Sequence, residues 1–371
     1  MKTALSLFYG AYFALVGVYV IFMPKVLLEF DYSKSEIGVI YFAAPFMRFL
    51  LPFIFKYFGT LNHRVYTLAL FATLLSTLIF LTTVEDFWLY LIGNLFFGAS
   101  MGISLPFIET IALQKLSKQS YGRVRLWGSV GFIVIALWLG EVLSSPYEAL
   151  YYLLGSAFLT LLFGLRLLPF VSIDPNPPTQ EENQRFSLQK YWAFWSSIFL
   201  MQVAFGGFYQ FFTIYELDHG VSLQVSSWMW TFGVLCEIAM LYFQGTLLQK
   251  NLLSILQIAT LVTALRWLLL YYYANNVIIT FASQSLHAIG FALYHTALIS
   301  YVFSLYHQKR LAQQFVLGIG FGLGGAMGAL LSGKIYENHG SSLFLVEALI
   351  TVGAWLMLQL HQQRKDDHLK L

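Results

Sequence analysis

Runs of about 20 predominantly apolar residues recur along the chain, and each is long enough to cross a bilayer as an α-helix. Backbone polar groups find no water inside lipid, so spanning segments of this length are helical. We trace twelve such segments over the 371 residues. They begin near Ala4, Ile37, Val65, Phe87, Arg125, Glu148, Gln189, Gln224, Asn251, Val277, Leu311 and Ser342. The sequence therefore predicts an all-α membrane protein with twelve transmembrane helices.

The composition supports this assignment and excludes other classes. Charged residues make up 11% of the chain and hydrophobic residues 58%, whereas about 25% of the residues of a soluble domain are charged. The net charge of +3 is spread over the loops, so we do not expect nucleic acid as a partner. Cys236 is the one cysteine of the sequence, which excludes an internal disulfide. The apolar segment that follows Met1-Lys2 has no small-residue cleavage site, so we expect it to stay as the first helix.

One long polar stretch separates the segments into six and six. It covers residues 172–188 and contains Asp174-Pro175-Asn176-Pro177-Pro178. We predict an N-terminal six-helix bundle (1–171), a cytoplasmic linker (172–188) and a C-terminal six-helix bundle (189–371). Phe58-Gly59-Thr60-Leu61 ends the second segment and Gly245-Thr246-Leu247 ends the eighth. These equivalent positions favour two related, pseudo-symmetric halves, as parallel transporter repeats have.

The distribution of positive charge predicts the orientation. With both termini in the cytoplasm, sixteen of the 21 Lys and Arg residues lie on the cytoplasmic side. Lys25, Lys34 and Lys334 lie outside, and Arg48 and Arg266 lie within helices. Cytoplasmic loops of membrane proteins are enriched in Lys and Arg. We therefore expect a multi-pass protein with both termini cytoplasmic.

Two glycine-containing motifs match enzyme patterns without their structural context. Residues 98–102 (Gly-Ala-Ser-Met-Gly) fit the nucleophile elbow of hydrolases, which requires a turn from strand to helix. Residues 320–325 contain a dinucleotide-binding pattern, and residues 328–334 approach a phosphate-binding loop that lacks its Ser or Thr because Ile335 follows Lys334. We interpret both as faces for close helix packing. The sequence shows no metal-binding motif and no ATP-binding loop, so we do not expect an enzyme.

Ionisable residues in the middle of apolar segments are the candidates for function. A charge at the bilayer centre costs about 3 kcal/mol on insertion scales, so such residues are paired, face water or take part in transport. Glu237, Arg266 and His287 lie at similar depth in the eighth, ninth and tenth segments, and His295 follows His287 by about two helical turns. We expect Glu237 to neutralise Arg266, with an imidazole joining the network. An acid whose neighbouring arginine moves away binds a proton more readily, which is what proton coupling requires.

A second set lies in the N-terminal half. Glu109 faces Arg123 and Arg125 across the connection between the fourth and fifth segments, where arginines also reach the membrane interface as solvated side chains. Arg48 lies in the middle of the second segment with no acid one helical turn away. Arg48 therefore needs a partner from another helix, a cavity or an anionic substrate.

The chain resembles the major facilitator superfamily, in the branch that contains lactose permease and the bacterial phenylpropionate/cinnamate permease. The resemblance covers nearly the whole chain, and residues 121–132 carry it most specifically. These read Tyr121-Gly122-Arg123-Val124-Arg125-Leu126-Trp127-Gly128-Ser129-Val130-Gly131-Phe132. The surroundings of Arg48, Glu237, Arg266, His287 and His295 also match. This family implies two six-helix bundles that work by alternating access, in the cytoplasmic membrane of a bacterium and as a functional monomer.

The resemblance also implies roles for individual residues. In the lactose permease relatives, the residues that match Glu109 and Arg125 contact substrate, and those that match Glu237, Arg266 and His287 serve substrate binding and proton coupling. Two positions depart from that pattern. Phe132 replaces the tryptophan that stacks on sugar, and Gly290 replaces a protonated glutamate. Disaccharide recognition is therefore not expected, and a proton needs another carrier, with Glu237 first and His295 or His287 second.

We predict a secondary transporter that carries a small solute with a proton and uses the proton gradient in place of a cofactor. The predicted substrate site is Glu109, Arg125, Phe132 and Arg48, and the predicted coupling site is Glu237, Arg266, His287 and His295. Three arginines against two acids favour a small, aromatic carboxylate. A sugar or nucleoside symporter, an uncoupled facilitator and an efflux carrier stay open, as does a receptor or scaffold without transport. The sequence leaves the substrate, the direction and the stoichiometry undetermined.

Overall fold

The computed structural model describes residues 1–58, 61–170 and 187–370. Long helices account for most of the described residues. The first half contains α1 (Lys2–Glu29), α2 (Lys34–Phe58), α3 (His63–Thr83), α4 (Phe87–Lys115), α5 (Lys118–Val142) and α6 (Pro146–Leu165). The predicted linker at residues 172–188 lies outside the described residues up to position 186, as do Gly59 and Thr60 of the internal repeat.

The second half contains three continuous helices and three that are interrupted. The continuous ones are α8 (Leu223–Phe243), α9 (Leu252–Tyr272) and α12 (Leu343–Lys370). The seventh, α7, consists of two pieces, Trp192–Val203 and Gly206–Asp218. α10 (Val277–Leu305) contains a 3-10 turn and a π-helical segment, Ala288–Leu293. α11 (residues 309–339) contains a π-helical segment at Val316–Gly324.

The number of spans agrees with the sequence prediction. Eleven stretches of the described residues are long and apolar enough to cross a membrane, and the last of them, Leu311–Lys365, is 55 residues long. Gly340 divides that stretch, because it has a left-handed φ of 52° and begins the 3-10 turn between α11 and α12. The prediction of an all-α protein with twelve spans is therefore confirmed.

Short polar side chains begin several of the helices. Asn62 accepts hydrogen bonds from the amides of Arg64 and Val65, and Asp86 accepts one from Leu89. Asn251 and Asn276 do the same for α9 and α10. These contacts satisfy amides of the first turn that have no partner within the helix. The caps place the helix starts where the polar residues interrupt the apolar runs.

Glycines bring helices into backbone contact. A Cβ on Gly98 of α4 would lie 2.3 Å from the Cα of Ala44 in α2, and one on Gly131 of α5 would lie 2.1 Å from the carbonyl oxygen of Gly10 in α1. Ser100, between the glycines of the supposed elbow, is buried and donates its hydroxyl to the carbonyl of Phe97 within the helix. The interpretation of residues 98–102 as a packing face is thus confirmed. Small residues at this spacing let membrane helices approach closely.

The two halves are joined at one end of the bundle, which we call the latch face. It carries the starts of α2 and α8 and the ends of α5, α7 and α11, whereas the opposite end, the terminal face, carries Lys2. Lys34 of α2 forms an ion pair of 2.8 Å with Asp218 of α7, and Tyr336 of α11 donates a hydrogen bond to the same carboxylate. Below these side chains, a Cβ on Gly333 of α11 would lie 2.6 Å from the Lys34 carbonyl oxygen. Close packing and an ion pair therefore hold the halves together at the latch face.

Candidate functional site

The predicted pair in the N-terminal half forms between α4 and α5. Nε of Arg125 lies 3.3 Å from Oε1 of Glu109, and both side chains are about one-third exposed. The guanidinium stands over the ring of Phe13 at 4.2 Å and near that of Tyr9 at 5.3 Å. A guanidinium over an aromatic face gains cation–π stabilisation. Arg123, the other predicted partner of Glu109, is exposed and has no ion pair within the described residues.

Gly128 makes room for this arginine. It lies one helical turn after Arg125, and a Cβ there would come within 2.8 Å of both the Arg125 guanidinium and the Phe13 ring. Any larger residue would push the guanidinium away from α1. Gly128 of the motif at residues 121–132 therefore determines the direction of the Arg125 guanidinium by leaving space for it.

Arg48 contributes a second cation from α2. Its stem packs where Gly102 of α4 lacks a side chain, since a Cβ on Gly102 would lie 2.8 Å from Cγ of Arg48. Its Nε makes a long contact of 3.5 Å with the Ala44 carbonyl, and the side chain is exposed. No acid lies within 4 Å of it among the residues that the structure describes. Arg48 therefore presents positive charge that the described part of the chain does not neutralise.

In the C-terminal half, Arg266 is the centre of a buried network. The side chain is 1% exposed, and its guanidinium stands 4.0 Å from the ring of Phe208. One terminal nitrogen donates to Oε1 of Gln284 at 2.5 Å, and the other lies 3.1 Å from Nδ1 of His287. Nε2 of the same imidazole lies 3.8 Å from Oε2 of Glu237. The three predicted coupling residues are thus brought together.

The expected direct pair between Glu237 and Arg266 is replaced by a relay. A guanidinium has only donors, so Nδ1 of His287 accepts from Arg266 and the proton of the neutral ring is on Nε2. That N–H faces the carboxylate of Glu237. No direct ion pair joins Glu237 to Arg266 within the described ranges, because the imidazole occupies the space between them.

His295 lies on the same face of α10 but outside this relay. The Phe291 ring stands between the two imidazoles, 5.0 Å from His287 and 6.4 Å from His295. Nδ1 of His295 is buried without a hydrogen-bond partner, and Phe321 of α11 packs against the ring edge-on. The prediction of a shared face agrees with this stack, but the structure does not place His295 in contact with Arg266 or Glu237.

The two clusters face each other across the contact between α5 and α8. Glu237 lies close enough to Arg125 for the two charges to interact. Phe132 of α5 lies 6.4 Å from Trp230 of α8, measured between ring centroids. Tyr209 of α7 lies near both Glu237 and Arg266. Arg125 and Phe132 of the N-terminal half therefore lie near the relay of Glu237, His287 and Arg266, with aromatic rings on both sides.

Gly290 stands where the resemblance implies an acid in the relatives, and the space beside it is occupied by a neighbouring helix. A Cβ there would lie 2.3 Å from Oγ1 of Thr263 on α9. Thr263 is itself buried and hydrogen-bonded to the Ala259 carbonyl. The position therefore has no room for a carboxylate.

Two buried acids were not singled out from the sequence. Glu216 in α7 is fully buried beside Thr280, and neither of its oxygens has a partner in hydrogen-bond geometry. Glu347 in α12 is 1% exposed and accepts hydrogen bonds from the Gly207 amide and the Ser332 hydroxyl. Both lie near helix ends, where an acid is usually solvated. The apolar residues directly beside each acid were the sequence signal for its burial, because the residues around a solvated acid would be more polar.

The cation of the site that favours an anionic ligand is Arg48, because it has no acid partner in the described residues. The hydrogen-bond acceptors of Arg266 are the neutral groups of Gln284 and His287, and Glu347 is the acid whose charge acts on it. Glu109 and Glu237 are the acids that face Arg125 and His287. No cluster of three His, Cys, Asp or Glu within the described residues is arranged to hold a metal ion.

Two relatives in sequence are both named as transporters. The chain is 26% identical to the probable 3-phenylpropionic acid transporter of Escherichia coli strain K12, over 95% of this chain and 96% of that protein. It is 24% identical to YwbF, an uncharacterized transporter of Bacillus subtilis strain 168, over 91% and 87%.

Solved structures show the same fold. The nucleoside transporter NupG superposes with a TM-score of 0.77 at 18% identity, over 97% of this chain and 98% of that one. A bacterial homologue of the lysosomal transporter Spinster, inward-facing and occupied, gives 0.71 at 13% identity, over 98% and 96%. The MFS_1 like family matches residues 2–346. The chain therefore belongs to the MFS_1 like family and is a multi-pass secondary transporter of small molecules, not an enzyme.

Proposed function

We propose that this transporter carries a small aromatic carboxylate together with a proton. The observation that carries the proposal is the pair of partly exposed arginines, Arg48 and Arg125, in a region lined by aromatic rings. A carboxylate can accept two parallel hydrogen bonds from one guanidinium. Arg125 uses Nε for Glu109 and also contacts the Tyr121 hydroxyl, so the terminal nitrogen that neither partner uses would be available for a second anion.

The aromatic part of the substrate would lie against Phe132 and Trp230. Their rings come from opposite halves and lie 6.4 Å apart, so an aromatic ligand packed against their edges would contact both bundles. Offset or edge-to-face ring pairs add about 0.5–1.5 kcal/mol beyond the burial of area. The relative in Escherichia coli is named a probable 3-phenylpropionic acid transporter, and that compound has this combination of ring and carboxylate.

The proton would bind in the relay of Glu237, His287 and Arg266. Glu237 is about one-quarter exposed, whereas His287 and Arg266 are buried, so Glu237 is the member that water can reach. When Glu237 takes up a proton, its attraction for Arg125 across the halves disappears. Arg125 then gains affinity for the carboxylate of the substrate, which links the binding of the two.

The latch face would be the extracellular side and the terminal face the cytoplasmic side, as the Lys and Arg distribution predicts. The halves are packed together at the latch face, so the described conformation would be closed to the outside. Alternating access then requires Lys34 and Asp218 to separate. The two-bundle division, the bacterial cytoplasmic membrane, the action as a monomer without nucleic acid and the proton gradient in place of a cofactor are parts of this proposal.

The test is uptake of labelled 3-phenylpropionate into proteoliposomes with an imposed proton gradient. We expect accumulation against the substrate gradient that stops when an ionophore removes the proton gradient. Arg125→Ala should raise the half-saturating concentration about tenfold or more, because a charge-assisted contact is lost. Arg123→Ala is the matched control, since it removes an exposed arginine two positions away, and it should leave uptake unchanged.

Coupling is tested separately with Glu237→Gln. This variant should exchange 3-phenylpropionate across the membrane but should not accumulate it. Accumulation at the wild-type level would show that Glu237 does not carry the proton. Uptake of uridine or lactose in place of 3-phenylpropionate would overturn the carboxylate assignment, and uptake that ignores the proton gradient would indicate a facilitator.

A further inference from the structure

The seventh helix is interrupted inside the bundle, and a side chain from the twelfth helix reaches the interruption. α7 stops at Val203 and starts again at Gly206. The amides of the first turn after such a break have no partner within the helix. The Gly207 amide donates its hydrogen bond to Oε1 of Glu347. A carboxylate of α12 therefore caps the second piece of α7.

The contact depends on the absence of a side chain. A Cβ on Gly207 would lie 2.1 Å from Oε1 of Glu347, so another residue would displace the carboxylate. Gly206 is equally close to α11, because a Cβ there would lie 2.3 Å from the Gly328 carbonyl carbon. Ser332 of α11 donates a second hydrogen bond of 3.2 Å to the same oxygen of Glu347. Three helices thus meet at one carboxylate oxygen.

The other oxygen of this carboxylate has no hydrogen-bond partner. Oε2 of Glu347 is buried and unpaired, and so is Nε of Arg266. The two side chains interact electrostatically. Two donors on Oε1 and a cation nearby favour the ionised form of the acid, whereas burial away from water favours the protonated form. The unpaired Oε2 is the atom at which a proton can be taken up or released.

We propose that Glu347 is a proton-binding residue that controls the break in α7 and, through it, the latch face. Proton binding converts the carboxylate to a neutral acid and removes the negative charge that caps the helix start and offsets Arg266. The cap weakens, and α7 and α11 separate. These helices carry Asp218 and Tyr336 of the latch. In each transport cycle, Glu347 takes up one proton at a single carboxylate oxygen and releases it again.

Other charged groups do not account for this arrangement. The packed elements carry these titratable or charged groups near Glu347 or farther along: Arg266, Tyr271 and Tyr272 on α9, Tyr209, Tyr215, Glu216 and Asp218 on α7, and Lys334, Tyr336, Glu337 and His339 among those on α11. Of these, Arg266 is the one whose charge acts on Glu347 in the described part of the chain. Gly290 has no room for an acid, and Glu347 is the buried carboxylate whose charge acts on Arg266.

The first test detects the proton itself, without substrate. The full chain in lipid vesicles is titrated with pH while infrared difference spectra record the carbonyl stretch of protonated carboxyl groups. Glu347→Gln should lose one titrating component. Glu216→Gln is the matched control, because Glu216 is an equally buried acid that contacts no helix break, and it should retain that component. A spectrum unchanged by Glu347→Gln would overturn the proposal.

The second test follows the latch face. Ser227 of α8 is buried, and its hydroxyl lies 2.4 Å from where a Cβ of Gly140 in α5 would be. Ser227→Cys in a Cys236→Ser background therefore reports separation of the halves through its reaction with an impermeant maleimide. Because the thiolate is the reacting form, the rate is divided at each pH by that of the same cysteine in unfolded protein. This ratio should rise several-fold on acidification, and Glu347→Gln should make the ratio independent of pH. A ratio that keeps its pH dependence in Glu347→Gln would contradict the link.

A third variant tests the proposal independently, in case Glu347→Gln does not fold. Gly207→Ala retains the acid but places a Cβ against it, so the infrared component should shift along the pH axis without disappearing. An unshifted component would overturn the role of the cap. The inference that this proton drives transport rests on the proposed symport. If wild-type protein fails to transport 3-phenylpropionate, the proposed substrate is wrong, while the infrared and labelling results still decide the role of Glu347.

Discussion

A buried arginine is stable only when its donors are occupied, and Arg266 illustrates how neutral groups can do this. Its terminal nitrogens contact Gln284 and His287, and its planar face stands over Phe208. The imidazole accepts from the arginine at one nitrogen and faces Glu237 with the other. A single ring therefore contacts both Glu237 and a guanidinium that water does not reach.

His287→Ala should destabilise the protein because it leaves a buried donor of Arg266 unpaired. An unsatisfied buried polar group costs about 1–3 kcal/mol, and more when it is charged. Thermal unfolding in detergent would show this as a lower midpoint. His295→Ala is the control, because its ring packs on the same face of α10 without touching Arg266, and it should lower the midpoint less. Equal losses in the two variants would refute the relay.

For single residues, the sequence predicted which side chains carry charge into the membrane but not which neighbours they contact. Arg48, Glu109, Arg125, Glu237, Arg266 and the two histidines stand out in the sequence because charge is rare in apolar segments. The choice of partner did not follow, because spacing on one helix places a residue at a depth but does not say which neighbour faces it. Glu237 was expected to pair with Arg266 directly, and it meets His287 instead.

Helix irregularities occur in both halves. α1 is π-helical at Val18–Phe22, α7 is broken after Val203, α10 is π-helical next to His287, and α11 is π-helical through its glycine-rich stretch. π-Helical segments are uncommon and are found frequently at functional sites. The glycine face of α11 packs on two helices, since a Cβ on Gly322 would meet the Phe49 backbone at 3.0 Å and one on Gly324 would meet the Phe199 carbonyl oxygen at 2.9 Å. The interpretation of this stretch as a packing surface is confirmed.

Gly290→Ala should weaken the packing of α10 on α9. Its new Cβ would lie 2.3 Å from Oγ1 of Thr263, so one of the helices has to shift. Overpacking of this kind typically costs about 1–3 kcal/mol. Thr263→Ala removes the obstructing hydroxyl and should restore much of the loss in the double variant. Gly155→Ala is the control for adding a methyl group, because that methyl would meet no neighbouring side chain or helix within 4 Å among the described residues. Thermal unfolding of the four variants provides the measurement, and a double variant as unstable as Gly290→Ala would contradict the clash.

The helices themselves followed from the sequence, while their interruptions did not. Apolar length and polar caps such as Asn62 and Asn251 set where helices start and stop. The break at residues 204–205 lies inside an apolar run, and the pair Gly206-Gly207 that follows is its only local signal. The Glu347 carboxylate stabilises the new helix start from outside, and Gly328 approaches it closely.

For the whole molecule, the latch face is where the two halves are held together. The Lys34 ammonium contacts the Asp218 carboxylate and stands 3.6 Å from the ring centroid of Tyr336. The amide of Ser35 donates a hydrogen bond of 2.6 Å to Glu337, and Gln224 of α8 donates to Glu141 of α5. These side chains are partly exposed, so each ion pair contributes about 0–1 kcal/mol. Weak contacts suit a face that has to open during transport.

Reversing one charge of the latch should favour the open state. Lys34→Glu places two carboxylates together, and a change of about 1 kcal/mol corresponds to a factor of about five in the open population. Maleimide labelling of Ser227→Cys in the Cys236→Ser background should accelerate by a similar factor. Adding Asp218→Lys should restore slow labelling. Lys25→Glu, which alters an intrahelical pair in α1, is the control and should have little effect. Fast labelling in the double charge swap would indicate that the ion pair does not hold the face closed.

The sequence by itself determined the membrane environment, the number of helices and the residues that carry charge into the bilayer. It could do so because apolar length, caps and charge are local properties of the chain. The tertiary structure alone decided that the charges of both halves face one region, that His287 stands between Glu237 and Arg266, and that Gly290 leaves no room for an acid. It also decided that Glu347, near a helix end, is buried at the break in α7. These outcomes depend on which helices are neighbours, and side chains distant in the chain meet only after the helices have packed.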